Sequence, residues 1–205
     1  MKKNYIYTIL AVLFGTLLYN SVYFEKLSKK NSQKNSKFNF KTYADSLYYN
    51  GILKSNNSIE ANQLLALIKS NPDSVFEAYG NRLGIGESAY FMINAQGKLL
   101  EKNENSLKIA TENGVTMNVD TKFIFGNAIR DASGLVKLTD FKTNADFNKV
   151  SEELNTVIRE KAIPENLKNI NKGDVISVTG AIKLKKGKLD TPELQILPIK
   201  ISKTL

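Results

Sequence analysis

Residues 5–24 form an apolar run interrupted only by Thr8, Thr16, Asn20 and Ser21, with no charge inside it. About 20 apolar residues of helix span a hydrocarbon core of roughly 30 Å, so the run predicts a transmembrane helix behind a short tail, residues 1–4. The end of the run, Leu18-Tyr19-Asn20-Ser21-Val22-Tyr23-Phe24, is too bulky for the small-residue cleavage site of a secretory leader. An uncleaved anchor is therefore expected. Tyr5, Tyr7, Tyr19 and Tyr23 fall near its two ends, where aromatic rings favour the headgroup zone. Residues 25–41 are polar and lysine-rich, too poor in apolar groups to bury surface, and predict a flexible basic tether.

From residue 42 the pattern becomes that of a folded body. Residues 42–86 read as a helical segment packed on a barrel, with Tyr43, Leu47 and Tyr48 in one apolar cluster. Ile59, Leu64, Leu65, Leu67 and Ile68 form a second. Asn71-Pro72-Asp73 breaks the helix and starts a short one that Gly80 stops. Tyr90-Phe91-Met92-Ile93 predicts a strand, Asn94-Ala95-Gln96-Gly97 a hairpin turn, and residues 98–111 a second strand region with a charged interruption at 101–105. Glu112-Asn113-Gly114 is another hairpin signal. After it Val115, Met117, Val119, Phe123 and Phe125 alternate with polar residues, which predicts one strand with all five side chains on a buried face.

Leu135-Val136-Lys137-Leu138 suggests a further short strand. Residues 146–161 carry Phe147, Val150, Leu154, Val157 and Ile158 on one helical stripe, with Asn144 or Thr143 as cap and Pro164 as the stop. Residues 174–185 and 194–201 predict two closing strands. Pro198 cannot donate a ladder hydrogen bond, so the last strand is expected at an edge or with a bulge. Strands, then a helix, then two strands is the order of an OB-like barrel. The fold class expected is α+β: transmembrane helix, short helical segment, and an OB-like antiparallel β-barrel over residues 87–205 with one helix inserted before the last two strands. An open antiparallel sheet backed by helices fits the same pattern.

The 205 residues carry a net charge of +9, which taken alone suggests a polyanionic partner. The distribution changes that picture. Residues 1–41 hold eight lysines and one acid, whereas the rest of the chain holds 21 basic and 19 acidic side chains and is nearly neutral. Basicity beside an anchor suits anionic lipid headgroups, at about 1 kcal/mol per residue near the surface, or a solvated tether. Counting lysines on either side of the apolar run would keep the body in the cytoplasm, while a tiny basic tail before an apolar run is also how exported chains begin.

Chemistry is constrained by what the composition lacks. With neither cysteine nor histidine, disulfides, thiolate sites, a lipid-modified cysteine and histidine-based triads are excluded. No Walker-type loop is present, and the sequence assigns no catalytic residue, cofactor or metal ligand. The densest polar constellation is Phe125-Gly-Asn-Ala-Ile-Arg-Asp-Ala-Ser133. Within it Asn127, Arg130 and Asp131 can hold a carboxylate or a hydroxyl by forked hydrogen bonds, or can tie a barrel corner together. Arg82, Tyr90 and Asp140 complete the candidate ligand- or partner-binding set.

The run Tyr43-Ala-Asp-Ser-Leu47, the stretch Tyr79-Gly-Asn-Arg-Leu-Gly84 with Ser88-Ala-Tyr-Phe91, and Phe125 to Ser133 with Leu138-Thr-Asp-Phe141 resemble a bacterial family of predicted periplasmic lipoproteins (DUF2291). The resemblance implies an envelope location and association with sugar-uptake transporters, and it implies no activity. It favours a single-pass protein of the bacterial inner membrane with its body in the periplasm. The missing lipid-acceptor cysteine makes a transmembrane helix the replacement anchor. The function expected is a non-enzymatic binding or accessory module, its partners the membrane and either a transporter component or a small polar ligand. One alternative is a cytoplasm-facing OB module for single-stranded nucleic acid, which needs a basic groove with stacking aromatics. Another is a hydrolase or lyase using Asp131 or Asp140 with Arg130.

Overall fold

The computed structural model describes residues 38–82, 84, 86–188 and 193–204, and residues from Phe40 onward form one compact unit. The expected anchor and nearly all of the tether lie outside the described residues. Among the described residues no helix is long and apolar enough to cross a membrane.

The body begins with helix α1 (Phe40–Ser46), which continues through a π-helical turn to Gly51 and a 3-10 turn to Lys54. It buries Ala44, Leu47, Tyr48 and Ile52, and the Tyr48 hydroxyl donates to the Ile199 carbonyl at 2.9 Å. A two-residue strand β1 (Ile59–Glu60) pairs in parallel with the first long strand. Helix α2 (Ala61–Ser70) starts there because the Glu60 carboxylate accepts from the backbone N–H groups of Asn62 and Gln63. Asn71 caps helix α3 (Pro72–Ala78) in the same way, and proline is tolerated at its first position.

Five strands then close a barrel: β2 (Ser88–Lys102), β3 (Ser106–Ala110), β4 (Thr116–Asp120), β5 (Val175–Lys185) and β6 (Leu194–Lys203). The order is β1-β2-β3-β4-β6-β5, and pairing of β5 with β2 completes the ring. Within the ring, neighbours are antiparallel except β4 and β6, which run parallel from Met117↔Leu194 to Val119↔Ile196, as does the appended β1 beside β2. This closure selects the barrel over the open sheet. Inside it Phe91, Ile93, Leu99, Ile109, Met117, Val119, Ile176 and Ile196 are fully buried, each such side chain contributing about 1.5–3 kcal/mol.

The hairpin expected at residues 94–97 does not exist. β2 is one 15-residue strand that pairs with β5 along its first part and with β3 along its last. Gly97, which reads as a turn residue, is there because another backbone passes close by: a Cβ would sit 2.6 Å from the Ala110 carbonyl oxygen. The turn falls instead at the charged interruption, between Lys102 and Ser106. Gly114, at φ +75°, makes the β3–β4 turn as the sequence requires.

β4 ends at Asp120, so the alternation beyond it does not persist. Met117 and Val119 face the core, but Phe123 and Phe125 are 57% and 59% exposed, and Ile124 takes the buried place. Residues 135–138 form no strand; Val136 is buried and a 3-10 turn comes next at Leu138–Asp140. Helix α5 (Asn144–Val157) is capped by Thr143 and buries the expected stripe. Pro164 does not stop it. The chain passes through a π-helical turn (Ile158–Ala162) into α6 (Ile163–Asn166), and such a turn absorbs the backbone bond that proline cannot make. Pro198 lies opposite Gly180, at a register shift between β5 and β6. The bulge is found, and β6 is an interior strand.

Gly97→Ala is expected to destabilise the fold by about 1–3 kcal/mol, measured by urea unfolding. Burial, with a smaller contribution from Tyr49, pushes the Tyr48 phenol up to about 12. Its stabilising effect is complete below pH 10 and is lost as pH rises through 12. Tyr48→Phe should cost about 1 kcal/mol at neutral pH and flatten that alkaline limb of the stability profile.

Candidate functional site

The constellation singled out in the sequence lies on a short helix, α4 (Ala128–Ser133), which packs across β2 and β5. Five of its six residues are buried. Gly134, at φ +65°, ends it, and the Asn81 amide donates to the Ala132 carbonyl at 3.1 Å, satisfying a terminal acceptor.

Arg130 points into the core and is 2% exposed. Its Nε and Nη2 donate to Asp131 Oδ1 at 2.8 and 2.7 Å, and its Nη1 donates to the Phe147 carbonyl at 2.9 Å. The guanidinium lies over the Phe147 ring at 3.4 Å from its centroid. A buried charge persists only when paired and hydrogen-bonded, and this one is paired with a carboxylate and bonded to α5. Arg130 therefore ties α4 to α5.

Asp131 is also buried, but it contributes to the wall of a cleft of about 400 Å³. Its second oxygen accepts from the Asn127 amide, and Asn127 Oδ1 accepts from the Tyr90 hydroxyl at 3.5 Å. Tyr90 stands on the outer face of β2, with Lys183 of β5 opposite it in register and 5.6 Å from its ring centroid. Arg82 enters the same cleft from the loop before β2, bonded to the Gly86 carbonyl at 3.2 Å. Lys185 faces Glu87 at 3.2 Å across the rim. Arg82, Tyr90, Asn127 and Asp131 thus converge on one cleft, Arg130 lies behind it, and Asp140 is elsewhere. The Asp140 carboxylate accepts from the Lys137 N–H at 3.0 Å and holds its own 3-10 turn.

Glu87, Lys183 and Lys185 were not evident as site residues from the sequence, although Lys183 and Lys185 alternate with the buried Ile182 and Leu184 of β5. A second depression of about 380 Å³ adjoins the cleft, shares Tyr90 and Asn127 with it, and is walled largely by apolar groups such as Phe125, Ile182 and Leu197. The outer face of β3 and β4 is different. There Lys108 pairs with Glu193 at 2.8 Å, Asn118 donates to Glu193 at 2.6 Å, and Gln195 donates to Asp120 at 2.7 Å. Their mutual hydrogen bond raises the Lys108 ammonium and lowers the Glu193 carboxyl from their ordinary values. Among the described residues no group of three or more acidic side chains gathers where it could hold a metal ion.

The family model for predicted periplasmic lipoproteins (DUF2291) matches residues 12–202, and the chain belongs to that family. A crystal structure of an OB-fold protein from Thermotoga maritima aligns with a TM-score of 0.72 at 21% identity, over 82% of this chain and 100% of that one. The likeness establishes the OB fold. An OBody bound to hen egg-white lysozyme aligns at 17% identity over 58% of this chain and 82% of its own, but at a TM-score of 0.22 it supports no conclusion. No curated protein matches the chain.

Arg130→Ala leaves Asp131 buried without its counterion and is expected to cost about 3–5 kcal/mol, measured by urea unfolding. Arg82→Ala, which removes one exposed hydrogen bond, should change stability by less than about 0.5 kcal/mol.

Proposed function

We propose that this family member is an anchored envelope protein whose OB body is a non-catalytic binding module, receiving a small polar solute at the Tyr90–Asn127–Asp131 cleft as an accessory to a membrane transporter. The carrying observation is convergence. Arg82, Tyr90, Asn127, Asp131 and Lys185 come from three separate parts of the chain and meet at one cleft, whose size is that of small-molecule sites. Family membership supports an envelope location with the body in the periplasm. The apolar run of residues 5–24 supplies the anchor where the lipid-acceptor cysteine is missing.

The acids suggested for catalysis are already engaged. Asp131 is held by Arg130 and Asn127, and Asp140 by its own turn, which favours binding over acid–base chemistry. The nucleic-acid alternative draws no support from the sheet face of β3 and β4, the usual OB binding face, because its Lys108 is matched by Glu193.

The test is native mass spectrometry of the full chain released gently from its membrane. Wild type should carry a small-molecule adduct that an Arg82→Ala, Tyr90→Ala double variant loses while keeping its melting midpoint. An adduct-free wild type, or equal occupancy in both proteins, contradicts the reading. A carboxyl-terminal reporter active only outside the cytoplasm should be active, and a silent one contradicts the orientation.

A further inference from the structure

The charge balance around Tyr90 indicates which solute the cleft would take. Asp131 is neutralised by Arg130, and at the rim Lys185 and Glu87 neutralise each other at 3.2 Å. Two cations are left over. Arg82 is exposed on the cleft wall and makes one bond within the protein, from Nη1 to the Gly86 carbonyl at 3.2 Å. Among the described residues its Nε–Nη2 edge has no partner, and such an edge grips a carboxylate or phosphate with two parallel hydrogen bonds. Lys183 stands on the other side of Tyr90, in the adjoining depression, with its ammonium 5.6 Å from the ring centroid. Among the described residues it too has no carboxylate within ion-pair distance.

Exposed lysines and arginines are ordinary on a protein surface, and an unpaired one is no site by itself. What sets Arg82 apart is how firmly the chain beneath it is held. At Gly80 a Cβ would lie 2.6 Å from the Phe76 carbonyl oxygen and 2.9 Å from the Ala89 Cβ, so the backbone there approaches β2 more closely than a side chain would permit. Asn81 then exchanges two backbone hydrogen bonds with Tyr90, at 2.8 and 2.9 Å, and its side chain donates to the Ala132 carbonyl of α4. Gly134 leaves room for that side chain, since a Cβ there would stand 2.9 Å from Asn81 Oδ1. β2 and α4 thus clamp the residue immediately before Arg82, and the guanidinium starts from a fixed point beside Tyr90. Such preorganisation lowers the ordering cost that a ligand must meet.

We propose that the solute of this cleft is an oxyanion, a small hydroxylated molecule whose carboxylate or phosphate docks on Arg82, with Lys183 adding attraction across Tyr90. The Tyr90 hydroxyl, held only by its long 3.5 Å bond to Asn127, is available to hydrogen-bond the remainder. The inference rests on the reading of the cleft as a binding site and names the class of molecule it receives.

The experiment is saturation-transfer NMR on the full chain in nonionic detergent micelles, with glucitol, gluconate and glucitol 6-phosphate as probes at up to about 10 mM, a concentration that reveals even millimolar affinity. The three share one carbon chain and differ in the group at its end. Gluconate or the phosphate is expected to bind at least about tenfold more tightly than glucitol, with the preference shrinking as salt is raised. A preference for gluconate identifies a carboxylate, and one for the phosphate a phosphoryl group. Arg82→Ala should bring both anions down to the level of glucitol with the melting midpoint in place. It leaves the lysines of residues 1–41 untouched, so it separates the cleft from general attraction to a basic chain. Lys183→Gln should weaken the anions about threefold and leave glucitol unchanged. The proposal is overturned if neither anion binds, if glucitol binds as tightly as both, or if Arg82→Ala keeps the preference. The adduct carried by the wild-type protein separates this outcome from the broader reading. An uncharged adduct that the Arg82→Ala, Tyr90→Ala variant loses overturns the oxyanion alone, whereas an adduct-free wild type removes both.

Discussion

The guanidinium of Arg130 is the group on which the polar surfaces of this barrel depend. It neutralises Asp131, stacks on Phe147 and takes the Phe147 carbonyl. Through Asp131 it fixes Asn127 and, with it, the position of the Tyr90 hydroxyl. One buried cation thus organises the cleft beside it and ties α4 to α5. Such pairs contribute little net stability compared with apolar packing, which points to positioning as the role of this one.

The barrel makes that arrangement available. β2 is long enough to pair with β5 and β3 in turn, and α4 packs across β2 and β5 next to the place where their outer faces present Tyr90 and Lys183. The turn at residues 125–127 lines the cleft and the depression beside it through Asn127. The outer face of β3 and β4, by contrast, carries a ladder of paired polar groups. Function is therefore expected where α4 and α5 meet the barrel, and the surplus positive charge belongs to residues 1–41.

Much of the fold was legible because periodicity reports burial. The α5 stripe, the Gly114 turn, the closing strands and the bulge at Pro198 all arise from local rules. The failures have a common origin, since each required knowing what lies across the barrel. Gly97 looks like a turn residue until Ala110 is placed against it. Phe125 continues an apolar alternation although its strand has already ended. The clustering of Asn127, Arg130 and Asp131 was visible in the sequence, but the inward course of Arg130 was not, because Phe147 lies 17 residues away.

The most direct measurement is nitrogen-detected NMR of the arginine side chains in the labelled full chain, at neutral pH. Arg130 should give resolved, slowly exchanging guanidinium protons shifted by the Phe147 ring, unlike those of exposed Arg82. A fast-exchanging, averaged Arg130 signal would mean that the guanidinium is not locked between Asp131 and Phe147, and would contradict the account at its centre.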